Sequence, residues 1–233
     1  MTKTAIVLAG GFGTRLRGIL GNLPKPMADI NGRPFLQYLL EHLRRQGIDN
    51  CILSVGYRKE AIMDYFGRSF GGIDLAWCIE DEPLGTGGAI KKALSLADTQ
   101  EVFVLNGDTL FLADLPGLYD LYRSHDCVFA MALKPMRDFD RYGVVVVDDT
   151  HRVVGFQEKR ARDFGLINGG VYVINTGVFD KLDLPVAGFS IEKDFLERYY
   201  KTRRFCGFEF DAYFIDIGIV EDYERARAEL HSS

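Results

Sequence analysis

Apolar and polar positions follow two rhythms in the first half of the chain. Short runs that are apolar throughout predict strands covered on both faces, and stretches with the three-to-four-residue spacing of helices separate them. The predicted strands are Ala5–Ala9, Cys51–Val55, Leu75–Ile79, Val102–Asn106 and Val128–Leu133. The predicted helices are Pro34–Gln46, Lys59–Phe66, Thr86–Leu96 and Leu115–Ser124. This alternation predicts a mostly parallel, doubly wound sheet.

The second half of the chain has more closely spaced strand patterns. They cover Gly143–Val147, Val153–Phe156, Gly170–Ile174 and Phe205–Phe210, with predicted helices at Ile191–Lys201 and Val220–Leu230. The 233 residues contain no internal repeat and no obvious linker. We therefore expect a single α/β domain, a three-layer sandwich with a mixed sheet and a more antiparallel second half.

Composition excludes several classes of partner. The formal net charge of −5 argues against general binding to nucleic acid, because such proteins are normally basic. No apolar stretch approaches 18 residues, so we expect no membrane partner. The four cysteines lack the CxxC spacing of a zinc site, and they predict four reduced thiols in a cytoplasmic protein: Cys51, Cys78, Cys127 and Cys206.

A glycine-rich segment, Leu8-Ala-Gly-Gly-Phe-Gly-Thr-Arg-Leu16, directly follows the first predicted strand. Its glycines let backbone N–H groups approach phosphates, and Arg15 adds a planar, permanently charged fork. A dinucleotide-binding fingerprint would need a third glycine where Leu16 stands, and the signature GxxxxGK[ST] is absent from the chain. The segment therefore predicts a phosphate-binding loop of a third kind.

This loop, together with Pro24-Lys-Pro26, resembles the signature of the sugar-1-phosphate nucleotidyltransferases. The resemblance covers nearly the whole chain. Six further motifs follow in the family's order: Pro83-Leu-Gly-Thr-Gly-Gly-Ala89, Asn106-Gly-Asp108, Tyr142-Gly143, Phe156-Gln-Glu-Lys159, Asn168-Gly-Gly170 and Ile215-Asp-Ile-Gly218. The resemblance implies a Rossmann-like fold, with a nucleotide-binding half over about residues 1–125 and a sugar-phosphate-binding half over about residues 126–233.

The reaction implied by the resemblance is attack of a sugar phosphate on the α-phosphorus of a nucleoside triphosphate, with release of pyrophosphate. It requires positioning and charge neutralisation more than a general base, since the attacking phosphate is already mostly ionised near pH 7. Arg15, Lys25 and Asp108 are the expected catalytic residues, and Asp108 and Asp216 are expected to hold Mg²⁺. The expected nucleotide-binding residues are Leu8, Ala9, Gly10, Gly11, Gly13, Thr14, Arg15, Glu80, Gly85, Thr86 and Gly107.

The prediction of which base and which sugar the protein uses depends on fewer residues. Glu80 stands where thymidylyltransferases and many uridylyltransferases of this family place a glutamine. A carboxylate only accepts hydrogen bonds, and guanine offers adjacent donors, so GTP is favoured. The expected sugar-phosphate contacts are Gly143, Glu158, Lys159, Asn168 and Gly169.

Within the family the chain most resembles bacterial heptose 1-phosphate guanylyltransferases, which make GDP-heptose for surface glycans. N-acetylmuramate 1-phosphate uridylyltransferases and mannose 1-phosphate guanylyltransferases are the alternatives. A sugar-nucleotide-binding homologue without activity, and a glycosyltransferase, stay open as other classes. The glycosyltransferase is disfavoured because Asn106-Gly-Asp108 has one acid where an Asp-x-Asp pair is usual. The expected partners are therefore small molecules, and homo-oligomerisation is left open.

Overall fold

The computed structural model describes residues 2–11 and 16–230. The strands are β1 (Thr4–Leu8), β2 (Asp29–Ile30), β3 (Arg33–Pro34), β4 (Asn50–Val55), β5 (Ser69–Phe70), β6 (Ile73–Ile79), β7 (Glu101–Asn106), β8 (Thr109–Phe111), β9 (Phe129–Phe139), β10 (Val144–Val147), β11 (Val153–Gln157), β12 (Arg162–Asn175), β13 (Phe205–Glu209) and β14 (Phe214–Asp216). The helices are α1 (Arg17–Leu20), α2 (Phe35–Arg45), α3 (Lys59–Phe66), α4 (Gly85–Leu94), α5 (Leu115–Ser124), α6 (Glu197–Tyr199) and α7 (Val220–Glu229). A 3₁₀ turn at Lys25–Met27 and a π-helical turn at Ile191–Leu196 complete the elements.

The centre of the molecule is a ten-stranded mixed sheet in the order β11-β10-β12-β7-β1-β4-β6-β5, with β9 paired to β12 and β13 paired to β9. Strands β7, β1, β4 and β6 are parallel. Leu8 pairs with Ser54 on one side and with Asn106 on the other. The carboxyl ends of β1, β4 and β7 therefore meet at one edge, where open α/β sheets bind ligands.

The second half of the chain extends the same sheet in antiparallel fashion. The end of β12 pairs with β7, and β9 pairs along most of β12 with a break in register between Asn168 and Tyr172. Apart from this sheet, β14 and β8 form a two-stranded ribbon in which Asp216 lies opposite Thr109. The ribbon carries residues from both halves of the chain to the same edge as β1, β4 and β7.

Apolar side chains of the sheet fill two cores, one on each face. On β1, Ala5 and Val7 point into one core and Ile6 into the other, as the twofold period of a strand requires. Helices α2, α3, α5 and α7 cover the first core, whereas α4 and the π-helical turn cover the second. The three-layer α/β sandwich predicted from the sequence is confirmed.

Most predicted elements are present with shifted bounds, and two predictions are wrong. The helix predicted at Ile191–Lys201 is a π-helical turn followed by the three residues of α6. Cys127 and Cys206 form a disulfide, so only Cys51 and Cys78 are free among the cysteines, all of which are described.

In the described ranges, no helix is both long and apolar enough to cross a membrane.

Candidate active site

A cavity of about 740 Å³ opens over the carboxyl ends of β1, β4 and β7. Its walls come from the three loops that follow these strands, from the loop after β6, from the 3₁₀ turn and from the start of α4. The lining residues are Leu8, Gly10, Gly11, Lys25, Pro26, Gly56, Tyr57, Arg58, Lys59, Glu60, Glu80, Asp81, Glu82, Pro83, Gly85, Thr86, Ala89, Asn106 and Asp108.

Most of the predicted nucleotide-binding residues that the structure describes line this cavity. They are Leu8, Gly10, Gly11, Glu80, Gly85 and Thr86, and the predicted catalytic residues Lys25 and Asp108 join them. Ala9 and Gly107 do not line it, because their N–H groups donate to the carbonyls of Ser54 and Leu8 at 2.7 and 2.9 Å. Gly13, Thr14 and Arg15 lie outside the described residues.

Lys25 and Asp108 form an ion pair on the cavity wall, with 2.7 Å between Nζ and Oδ2. The lysine begins the 3₁₀ turn between two prolines, and the buried Pro26 and Met27 anchor that turn. Asp108 follows the end of β7 by two residues. The pair thus places a cation and a carboxylate where parallel strands present their carboxyl ends.

Asp216 lies beside this ion pair. Ribbon pairing sets it opposite Thr109, and the next residue, Ile217, donates its N–H to the carbonyl of Asp108 at 3.0 Å. Burial, and secondly the negative charge of Asp108, raise the pKa of Asp216 to about 6, while Lys25 opposes the rise. The neighbouring carboxylates therefore create a site that favours a cation.

The two carboxylates suit Mg²⁺ bound together with a substrate. Mg²⁺ prefers oxygen ligands and is usually held by one or two carboxylates, substrate phosphates and water. In the described part of the chain, no group of three or more acidic, histidine or cysteine side chains could hold a metal by itself. Asp108 and Asp216 are the residues of this site that could hold such a metal.

Glu80 is held on the opposite wall by hydrogen bonds to both of its oxygens. Oε1 accepts from the hydroxyl of Ser54 at 2.9 Å, and Oε2 accepts from the N–H of Leu84 at 3.4 Å. Gly10 permits this placement, since a Cβ there would lie only 2.7 Å from Oε1. The carboxylate consequently has a fixed position at the cavity wall.

Thr86 lies inside helix α4 and does not cap it. Helix α4 begins at Gly85 with Leu84 as its N-cap, and the carbonyl of Phe189 accepts from the N–H groups of Gly87 and Gly88 at 2.9 and 3.3 Å. The Thr86 hydroxyl accepts from the N–H of Ile191 at 2.9 Å and donates to Glu192 at 3.2 Å. Thr86 therefore ties the cavity wall to the π-helical turn.

The predicted sugar-phosphate residues lie next to the cavity or on a loop beyond it. Asn168 accepts from the N–H of Gly170 at 3.0 Å and donates to Tyr172 at 2.8 Å, which fixes the break in register in β12. Gly169 packs against the ring of Phe111, and Gly170 packs against the side chain of Asn106, a lining residue.

Gly143, Glu158 and Lys159 belong to neighbouring loops, because Gly143 packs against the carbonyl of Gln157. Glu158 and Lys159 are exposed, and neither lines the cavity formed by the described residues. The structure therefore brings Asn168 and Gly169 to the cavity edge and leaves Glu158 and Lys159 outside it.

Sequence reasoning missed one wall of the cavity, the segment of residues 56–60 after β4. It includes two cations, Arg58 and Lys59, and Arg58 adopts the left-handed conformation at φ 51°. Its position in the sequence could have indicated a binding role. The segment follows a predicted parallel strand, as the loop after β1 does, and such loops bind ligands in open α/β sheets. Gly56-Tyr-Arg-Lys59 resembles no phosphate-binding motif, so its role was not predicted.

Known proteins match this chain in sequence and in fold. The family model described as Nucleotidyl transferase matches residues 4–233. The chain belongs to that family. A D-glycero-α-D-manno-heptose 1-phosphate guanylyltransferase from Aneurinibacillus thermoaerophilus is 50% identical, over 97% of each chain. The protein of the same name from Campylobacter jejuni is 48% identical over 94% of this nucleotidyl transferase and 96% of its own length.

A solved structure is also similar. HddC from Yersinia pseudotuberculosis, complexed with GMP-PN, has a TM-score of 0.87 and 38% identity, and the match covers 98% of this nucleotidyl transferase and 99% of HddC. The resemblance to sugar-1-phosphate nucleotidyltransferases in the sequence is thus confirmed at the level of the family and the fold.

Proposed function

We propose that this nucleotidyl transferase transfers GMP from GTP to D-glycero-α-D-manno-heptose 1-phosphate, forming GDP-heptose and pyrophosphate. Two relatives that carry this activity in their names match it over nearly the full length at 50% and 48% identity. The structural observation that carries the choice of base is the fixed carboxylate of Glu80 on the cavity wall. Its two oxygens complement the adjacent N1–H and N2–H₂ donors of guanine.

The reaction needs charge control at the α-phosphate. An oxygen of the sugar phosphate forms a bond to the α-phosphorus, and the bond from that phosphorus to the bridging oxygen of pyrophosphate breaks. Lys25 is exposed to the cavity at its ion pair with Asp108, and we assign it to the α-phosphate, where it stabilises the developing negative charge. Mg²⁺ held by Asp108 and Asp216 supplies charge neutralisation on the phosphate oxygens when it is bound.

The remaining contacts follow from position and from the family resemblance. Gly10, Gly11, Gly13 and Thr14 are assigned to the phosphates through their backbone N–H groups, with Arg15 beside them. Asn168 and Gly169 precede Gly170, which packs against the lining residue Asn106, so we assign them, with Gly143, to the sugar. Glu158 and Lys159 belong to an exposed loop, and their assignment to sugar hydroxyls and the sugar phosphate requires that loop to approach the bound substrate.

The setting of this activity is also a proposal. We place the protein in the cytoplasm, where nucleoside triphosphates are available, and we assign its product to the synthesis of surface glycans. An enzyme that uses GDP-heptose as a glycosyl donor must then consume the product. Nucleic acid and membranes are not expected as partners because the chain is acidic and small-molecule substrates account for the cavity.

Pyrophosphate release tests the proposal. The protein is assayed with Mg²⁺, each of five nucleoside triphosphates, and the 1-phosphates of D-glycero-α-D-manno-heptose, mannose and N-acetylmuramate. We expect release that requires both GTP and the heptose 1-phosphate, with a GDP-sugar of matching mass. Release with UTP and N-acetylmuramate 1-phosphate, or with GTP and mannose 1-phosphate, would support the alternative substrates. If no pair of substrates releases pyrophosphate, the proposed function is wrong. The remaining alternatives would then be a sugar-nucleotide-binding protein without activity and a glycosyltransferase.

A further inference from the structure

Ser54 is a polar side chain inside the apolar centre of the sheet. It is the penultimate residue of β4, pairs with Leu8 on β1 and with Cys78 on β6, and is fully buried. A hydroxyl in such a place is destabilising unless it forms a hydrogen bond. An alanine at this position would also fill the apolar interior, so packing does not explain why the residue carries a hydroxyl.

The hydroxyl contacts the thiol of Cys78 and the carboxylate assigned to the base, and the carboxylate is the stronger acceptor. Ser54 Oγ lies 2.9 Å from Glu80 Oε1. A carboxylate has no proton to give, so the serine is the donor. The bond reaches Glu80 from beneath the cavity wall, since Ser54 is buried and Glu80 lines the cavity.

The hydrogen bond from Ser54 is the main contact that restrains the Glu80 side chain, because its other contacts are weak. Its second oxygen accepts from the N–H of Leu84 at 3.4 Å, which is near the limit for a hydrogen bond. Gly10 provides room beside Oε1 and no donor from a side chain. A glutamate side chain has several rotatable bonds, and without the Ser54 bond much of its rotamer freedom would return.

We propose that Ser54 is a positioning residue for base selection, which holds the Glu80 carboxylate so that both oxygens face the N1–H and N2–H₂ edge of guanine. This inference rests on the proposed use of GTP. Ser54 touches neither nucleotide nor sugar in this arrangement and acts through Glu80. Discrimination by a carboxylate requires both oxygens in place at once, because guanine differs from hypoxanthine only by the exocyclic amino group that one oxygen reads.

The test compares GTP with inosine triphosphate, which keeps N1–H and lacks the exocyclic amino group. We expect Ser54→Ala to lower the ratio of the two kcat/KM values about tenfold, the size of one hydrogen bond to a charged group. The change should arise from the KM for GTP, with kcat within about twofold of the wild type, since Lys25 and Asp108 are untouched. Ser54→Thr keeps the hydroxyl and should restore most of the ratio.

A double-mutant cycle separates positioning from a loss of structure. In the Glu80→Ala background, Ser54→Ala should leave the GTP-to-inosine triphosphate ratio unchanged, because the group that it positions has been removed. Thr4→Val is a matched control: it removes another buried hydroxyl, at the opposite end of β1, and should leave the ratio as in the wild type. If Ser54→Ala folds poorly, Ser54→Cys repeats the test with a weak donor of similar size and should also lower the ratio.

Two results would overturn the inference. One is a folded Ser54→Ala or Ser54→Cys protein with the wild-type ratio, and the other is an equal fall of the ratio in the Glu80→Ala background. Failure of the proposed function looks different, since the wild-type protein would then release no pyrophosphate with GTP. A wild-type enzyme that requires GTP, combined with an unchanged Ser54→Ala ratio, would remove only the role of Ser54.

Discussion

Asp108 and Asp216 place two negative charges side by side, and Lys25 pairs with only one of them. Under the proposed function, Lys25 would leave Asp108 for the α-phosphate when GTP binds. Asp108 and Asp216 would then hold a divalent metal, which would supply the positive charge that Asp108 loses. The proposal therefore predicts that Lys25 and Asp108 exchange partners on binding.

Asp108→Asn should abolish turnover while the fold stays intact. The amide keeps the shape of the side chain but loses its charge, so we expect kcat to fall by about a thousandfold, near the upper end for one preorganised group. Pyrophosphate release and circular dichroism measure the two effects. Asp211→Asn is the control, because Asp211 also pairs with a lysine, Lys134, at 2.6 Å but on the surface. Near-normal turnover in Asp108→Asn would contradict its role at the metal.

Asp216 should make the stability of the metal-free protein depend on pH. Its pKa rises from 3.8 to about 6 on folding, so between these values the folded state binds more protons than the unfolded state. Stability therefore falls as pH rises from about 4 to 6, by at most about 3 kcal/mol at about 1.4 kcal/mol per pKa unit. Asp216→Asn removes this dependence.

Chemical unfolding of both proteins at pH 4.5 and pH 7, in a metal chelator, measures the effect. The free energy of unfolding of the asparagine variant should increase relative to the wild type between the two pH values. Equal pH dependence in the two proteins would show that the carboxyl of Asp216 titrates normally.

The sequence predicted charged and glycine residues of the site better than neutral ones. Lys25, Glu80 and Asp108 stand out because a charge next to an apolar run is costly without a purpose. Ser54 does not stand out, since a lone serine in an apolar strand has the same sequence pattern whether or not its hydroxyl supports a function. The contacts of Glu158 and Lys159 also depend on where a loop lies, which no local pattern determines.

Helix α4 depends at its N-terminus on a segment from the other half of the chain. The Phe189 carbonyl caps it, the Phe189 ring packs on Gly87, and Thr86 bonds to Ile191 and Glu192. The sequence predicted the helix but not this cap, because the partner lies about a hundred positions away. The short ribbon of β8 and β14 was also not predicted, since three residues show no clear period.

Gly87→Ala should destabilise the protein although alanine favours helices. A Cβ at this position would overlap the buried ring of Phe189, and overpacking of this kind costs about 1–3 kcal/mol. Thermal unfolding should show a lower Tm, and nucleotide affinity should weaken because Gly85 and Thr86 line the cavity. Gly18→Ala in α1 is the control: nothing lies within 4 Å of its added Cβ, so its Tm should not fall. Equal Tm values for both variants would contradict this account of α4.

At the scale of the whole molecule, a disulfide links the residue two positions before β9 to the neighbouring strand β13. Cys127 precedes β9 and Cys206 lies in β13, with 79 positions between them. Strand β9 runs in the same direction as β7, so its start lies at the sheet edge opposite the cavity. The prediction of free thiols failed here because composition gives no information on which cysteines become neighbours in the fold.

Reduction of this disulfide should lower stability and leave activity unchanged. A crosslink over this separation stabilises by about 4.5 kcal/mol at most, through the unfolded state. Urea unfolding with and without dithiothreitol should show the difference, and kcat should be equal in both conditions. The double variant Cys127→Ser/Cys206→Ser should be insensitive to dithiothreitol. Identical wild-type unfolding curves would mean that the bond does not form in solution.

The ribbon of β8 and β14 also bears on when the cavity forms during synthesis. Asp216 is made about a hundred residues after Asp108, and their strands pair with each other. A domain folds as a unit, and strand β7 and helix α4 also take partners from the second half of the chain. A nascent chain therefore completes the cavity only after the segment that carries Asp216 has left the ribosome.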